Sequence, residues 1–229
     1  MSEIKVNKIS PATGTEITLG DSSDDFLLPS GAEIIAQSGS TITIASGANI
    51  VNSGAATGFG AGLVLQVVTN HITTASSQTN VATTPLSISN LNTSITPAST
   101  GSKILVQIQW CGEHSNIATE DVMFGIHRGS TRIGDGVQVG VRGYAMIVGS
   151  AGYQTEAGSS LDFASYQYID SPSTASSVTY HAYMVSEVFG GTLYNNRTVA
   201  DGNATAYERG SSSITLTELS AATVLVNGV

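Results

Sequence analysis

The chain has 229 residues, a formal net charge of −9 and a pI near 4.6. Charged residues make up 11% and hydrophobic residues 41%, a balance that excludes a disordered chain. Eight basic residues scattered singly exclude a nucleic-acid footprint and a polybasic membrane contact, and no run approaches the roughly 18 to 20 apolar residues of a membrane-inserted helix. Ser and Thr supply about a quarter of the residues, Gly adds 25, and only three lysines are present. Rich in Thr, Val, Ile and Gly and poor in helix formers, the chain reads as all-β.

Residues 1–20 form a polar-aliphatic start, with no apolar segment of the kind that opens a signal peptide. Asp21, Ser22, Ser23, Asp24 and Asp25 then make a turn. Their carboxylates lack the alternate spacing, glycine and distant Glu of a calcium loop, so no metal is expected. A short repeat follows: Ser30-Gly31-Ala32-Glu33-Ile34, Ser38-Gly39-Ser40-Thr41-Ile42, Ser46-Gly47-Ala48-Asn49-Ile50, and the worn copy Ser53-Gly54-Ala55-Ala56. Each unit is a turn and one short strand burying a single Ile, too little to offset its own ordering entropy. Stacked copies cover one another, and several chains around one axis would do so better. The repeat therefore predicts a trimeric β shaft with Ile34, Ile42 and Ile50 near its axis. Three glycines within Gly58–Gly62 mark the boundary between a shaft of residues 1–60 and a head of residues 61–229.

Beyond that hinge the periodicity is two. Residues 63–68 form an apolar strand. Along 103–110, Ile104, Val106, Ile108 and Trp110 face one way, against Lys103, Leu105, Gln107 and Gln109. Val122, Phe124 and Ile126 share a face, residues 178–185 alternate, and Ile214 and Leu216 point inward from the last strand. Short strands joined by Gly, Ser and Asn loops predict a jelly-roll-like antiparallel β-sandwich. The stretch 140–160, rich in Gly, Ser and Ala, reads as a long loop or as short strands with two-sided character.

Catalytic signals are sparse. No Gly-x-Ser-x-Gly elbow is present. His71, His114, His127 and His181 stand in unrelated contexts without metal-ligand spacing. Cys111, the single cysteine, cannot form an intrachain disulfide and reads as a small buried hydrophobe. Asp162 and Asp170 flank an aromatic strand, and a glycosidase would need such a pair roughly 5 to 9 Å apart. The reading favours no enzyme and no cofactor. Binding has the better candidates: Tyr144, Tyr153 and Tyr194, read as loop residues, each offer a flat apolar face and a hydroxyl.

Particular phrases carry a resemblance. Ser2-Glu3-Ile4-Lys5-Val6-Asn7-Lys8-Ile9-Ser10-Pro11, Thr18-Leu19-Gly20-Asp21, Pro29-Ser30-Gly31-Ala32 and Gly54-Ala55-Ala56-Thr57-Gly58-Phe59-Gly60 occur near the start. Ser102-Lys103-Ile104-Leu105-Val106, Phe124-Gly125-Ile126-His127-Arg128-Gly129-Ser130, Ile169-Asp170-Ser171-Pro172 with Thr179-Tyr180, and Ser212-Ser213-Ile214-Thr215-Leu216-Thr217-Glu218-Leu219 follow in the head. Together they resemble tail-fibre-like, receptor-binding structural proteins of tailed bacteriophages, particularly those of marine bacteria. The resemblance implies a homotrimer located in the virion, and the single cysteine and missing signal-peptide pattern predict synthesis in the host cytoplasm. Its N-terminal segment would dock on other virion proteins, and its outward β head would bind a host surface glycan or protein. A purely structural virion protein, such as a capsid decoration or tail-assembly component, is the alternative. A small glycan-cleaving enzyme is a third.

Overall fold

The computed structural model describes residues 64–115, 122–149, 161–187 and 190–220, together with Ile35 and Ser40. The proposed shaft with Ile34, Ile42 and Ile50, and the candidate Tyr153, lie outside the described residues. The described chain is all-β, with no helix, and its strands belong to the unit Ala56–Val229.

Eleven strands are present among the described residues: β1 (Val64–Ile72), β2 (Ser76–Asn80), β3 (Leu86–Ile95), β4 (Lys103–His114), β5 (Val122–Arg128), β6 (Thr131–Ile133), β7 (Ile147–Gly149), β8 (Asp162–Asp170), β9 (Val178–Ser186), β10 (Gly191–Asn195) and β11 (Ser212–Leu219). They form two antiparallel sheets. In sheet A, β1 pairs β11, β11 pairs β4, β4 pairs β8, and β10 lies between β2 and one end of β4. In sheet B, β3 pairs β9 and β9 pairs β5; β6 and β7 pair opposite ends of β5.

The registers show that several labelled strands are halves of longer rows. β10 and β11 run the same way along β4: Asn195 faces Gly112 and Ser213 faces Gln109. The residues between them leave the row as an excursion. Its neck is pinned by the Arg197–Arg209 bridge and by Gly210 N–H donating to the Asn196 carbonyl at 3.2 Å. β1 and β2 follow the same row on its other side, and the Asn196 amide donates to the carbonyls of Ile72 and Thr74 where they bend. Sheet A thus has four rows, in the order β1/β2, β11/β10, β4, β8. Sheet B has β3, β9, β5 and β6/β7.

Alternation explains the packing between them. Ile104, Val106, Ile108 and Trp110 of β4, Val122, Phe124 and Ile126 of β5, and Ile214 and Leu216 of β11 are at most 2% exposed and meet in one core. Trp110 lies 4.8 Å from Phe124 between ring centres and donates its indole N–H to Asn195 Oδ1 at 2.7 Å. Gly112 is needed beside it, because a Cβ there would meet the Tyr194 carbonyl and the Trp110 ring. β9 departs from simple alternation. Tyr180, Ala182 and Met184 enter the core, while Tyr183 and Val185 on the other face are buried with Met123 and Ala145.

The sandwich has two distinct ends. Val64, Leu219, Lys103 and Asp170 gather at one, where Arg128 of β5 makes two hydrogen bonds of 3.0 Å to the Asp170 carboxylate. Tyr180 adds its hydroxyl to Asp170 at 2.7 Å. The links β3–β4, β5–β6 and β8–β9 turn there. Asn80, His114, Asp162, Val122 and Ser186 mark the opposite end, where β2–β3, β4–β5, β7–β8 and β9–β10 are joined.

Candidate functional site

The outer face of sheet A presents side chains in level rows set by strand register. One row runs Thr69, Thr215, Gln107, Gln167 across all four strands, and the next runs His71, Ser213, Gln109, Ser165. Alternation sends their neighbours into the core and leaves these side chains facing outward. Thr69 and Thr215 share a hydroxyl hydrogen bond of 3.0 Å, and Gln107 donates to Gln167 at 3.3 Å. A shallow cleft of about 450 Å³ opens over Gln107, Gln109, Ser165, Gln167, Ser213 and Thr215. Apolar side chains border it. Val67, Leu105 and Ile169 lie in the row on one side, and Phe163, 77% exposed, stands beyond Ser165 on the other.

The excursion 196–211 occupies the rest of that face. Glu113 is buried and accepts the Val199 N–H at 2.5 Å. Arg197 lies 4.5 Å above the Tyr194 ring and pairs with Asp201 at 3.1 Å, and Asp201 also pairs with Arg209. Cys111 is half-buried, with Gly210 close over its sulfur. Burial, then Glu208 and Asp162, push its thiol pKa up, away from the thiolate needed for nucleophilic work. Burial and the nearby Glu113 push Asp162 up to about 6.

A second polar cluster lies on the outer side of sheet B. Arg132 donates to Asp135 at 2.6 Å and to the Tyr183 hydroxyl at 2.9 Å, and Tyr183 donates to Asp135 at 2.6 Å. The same guanidinium binds the Tyr144 carbonyl and lies 4.1 Å from the Tyr144 ring centre. His127 stacks on Tyr183 at 4.5 Å and bonds Ser87 at 3.0 Å. Burial lowers the His127 pKa, and His181 and Arg132 lower it further. Every member has a partner within the cluster, so its geometry is that of a clamp holding the β6–β7 link onto the sheet.

The predicted site residues are therefore dispersed. Tyr144 is half-buried under Arg132 in the β6–β7 link. Tyr194, read as a loop residue, belongs to β10, where it pairs with Ser77 and Glu113. The two stand on different sheets. Asp162 and Asp170 face Gly112 and Ile104 at opposite ends of β8. At about 3.3 Å per residue they are roughly 26 Å apart along the strand, too far to flank one glycosidic bond. His114 is buried against Asn80 at 2.6 Å. Among the described residues no group of three His, Cys, Asp or Glu could hold a metal ion. The amide and hydroxyl rows were not singled out from sequence; the outward alternation of Gln107 and Gln109 was the one signal that bore on them.

No family model matches the chain, and no curated protein is similar to it.

Proposed function

We propose that the protein is a virion appendage of a tailed bacteriophage, a homotrimer whose jelly-roll head contacts a component of the host surface. The observation that carries this reading is the polarity of the sandwich. Val64 and Leu219 lie at one end, and the long links 115–121 and 150–161 join strands at the other. Links between strands, rather than the strands themselves, commonly carry the binding residues of such a scaffold. The row order β1/β2, β11/β10, β4, β8 against β3, β9, β5, β6/β7 supports the jelly roll, since successive rows alternate between sheets except where β5 pairs its successor β6/β7, as in two interlocked Greek keys. The sequence resemblance supports the virion. Three heads on one stalk would convert weak single contacts into avidity.

The test is competition. Purified full-length protein should adsorb to host cells and block phage attachment, and light scattering should give three times 23.4 kDa. A protein present in virions that neither adsorbs nor blocks would be a purely structural component. A monomer would overturn the appendage reading.

A further inference from the structure

We propose that the outer face of sheet A binds an uncharged oligosaccharide, with Gln107, Gln109 and Gln167 supplying the polar contacts and Phe163 an apolar surface at one end. This rests on the host contact proposed above, gives it a ligand class, and moves it from the far-end links to the outer face of sheet A; the two readings fail separately.

The first argument is donor and acceptor chemistry. A glutamine amide offers two donors and a carbonyl acceptor, and a hydroxyl offers one donor and two lone pairs. Such groups match the adjacent hydroxyls of a sugar, which donate and accept in the same way. The bonds Thr69–Thr215 and Gln107–Gln167 use a fraction of this capacity. Among the described residues Gln109, Ser165 and Ser213 make no side-chain hydrogen bond to protein, and the two glutamines of β4 and Gln167 are exposed.

Charge is the second argument. The two rows contain no carboxylate, lysine or arginine, although the chain carries −9 overall. Arg197 and Arg209 of the excursion 196–211 are both paired with Asp201. An acidic polysaccharide would find no lysine or arginine in the rows, whereas a neutral chain needs none.

Shape is the third. Four rows at the usual strand spacing span about 14 Å, and successive outward residues stand about 7 Å apart along each strand. The cleft of about 450 Å³ lies within the range of small-ligand sites. Phe163 is 77% exposed at its end. A phenylalanine left in water forfeits the gain of burying its apolar area, and the C–H face of a pyranose would cover it.

Calorimetric titration of the full-length protein with neutral tetrasaccharides of glucose, mannose and galactose, alongside tetragalacturonate, tests the assignment. The expected result is binding of at least one neutral probe, weakened about tenfold by Gln107→Ala, Gln167→Ala or Phe163→Ala with thermal stability and native mass unchanged. Gln167→Glu, which keeps the shape and adds a charge, should weaken it as well. No neutral binding, preference for tetragalacturonate, or binding that survives the substitutions would each overturn the proposal. So would a native mass that falls in Phe163→Ala or Gln167→Glu, which would assign the face to contact between copies. Oligosaccharide binding without host-cell adsorption would sink the receptor reading and leave this one standing.

Discussion

On sheet B the chain covers its own outer face, and on sheet A it leaves much of that face bare. Met123, His127, Tyr183 and Val185 point away from the core of the sandwich, yet all are buried. The β6–β7 link provides the cover, with Ala145 packed on the Met123 cluster and Tyr144 held by Arg132. Gln107, Gln109, Gln167 and Phe163 also point away from the core, and they are exposed. Outward position in a strand therefore does not fix exposure; the connections do. A covered face owes its stability to its clamp, and a bare face is free to act on other molecules.

The largest effect should come from unfastening the cover. Arg132→Ala removes an ion pair of 2.6 Å, a hydrogen bond to Tyr183 and the contact with the Tyr144 ring, and leaves Asp135 partly buried without its cation. Breaking such a pair from one side costs about 3 kcal/mol, so Tm should fall by roughly 6 to 12 °C. Binding of a hydrophobic dye should rise as the Tyr183 side of sheet B opens. An unchanged Tm would show that the link stays down without its clamp.

A smaller loss should follow Gly125→Ala. A Cβ at Gly125 would stand 2.5 Å from the Tyr183 ring, so the glycine lets that ring lie flat against β5. Overpacking of this kind costs about 1 to 3 kcal/mol. Thermal melts of Gly125→Ala and of the double variant with Tyr183→Ala separate the causes, because removing the ring should make the added methyl nearly harmless.

The buried histidines and Asp162 respond to acid with opposite signs. Burial lowers the pKa of His127 and His181 on sheet B, and of His114 at the far end, below the ordinary 6.5. The unfolded chain takes up these protons first, so their contribution is present above 6.5 and lost as pH falls below it. Asp162 on sheet A is raised to about 6 from the usual 3.8. Its cost to the fold is present above about 6 and relieved as pH falls through that value. Asp162→Asn should therefore melt higher than the parent at pH 7.5. Its advantage should shrink toward pH 4, and its acid loss between pH 7 and 5 should be the steeper. Parallel pH profiles would contradict the assignment of Asp162.

Much of the core was legible because it rests on local period. The alternation of 103–110 placed Ile104, Val106, Ile108 and Trp110 inward, where they are, and Val122, Phe124 and Ile126 behaved alike. β3 left no such trace. A register shift between Ser87 and Asn92, with Asn90 at φ 64°, breaks its period and puts Ser89 and Asn90 outside. Tyr194 resembled a loop residue because Gly190, Gly191, Asn195 and Asn196 surround it. Sheet A captures it through β2 and β4, far off in sequence. The outward face had the same limit. Gln107 and Gln167 are 60 residues apart and become neighbours only through the β4–β8 register. No local pattern could show that Tyr183 is buried, since its cover comes from residues 132–146.

The smallest effect belongs to the bare face. Gln109→Ala and Thr215→Ala remove groups that face solvent and, in the case of Thr215, one exposed hydroxyl contact of 3.0 Å. Surface substitutions of this kind shift stability by within about 0.5 kcal/mol, so chemical denaturation midpoints should match the parent. Gln107→Ala and Gln167→Ala should behave alike, because one exposed amide pair at 3.3 Å contributes little. A substantial loss at any of these positions would mean that the face is covered in the native assembly, as sheet B covers its own. Near-neutral melts would confirm the contrast between the two faces and leave any change in ligand binding attributable to the contacts themselves.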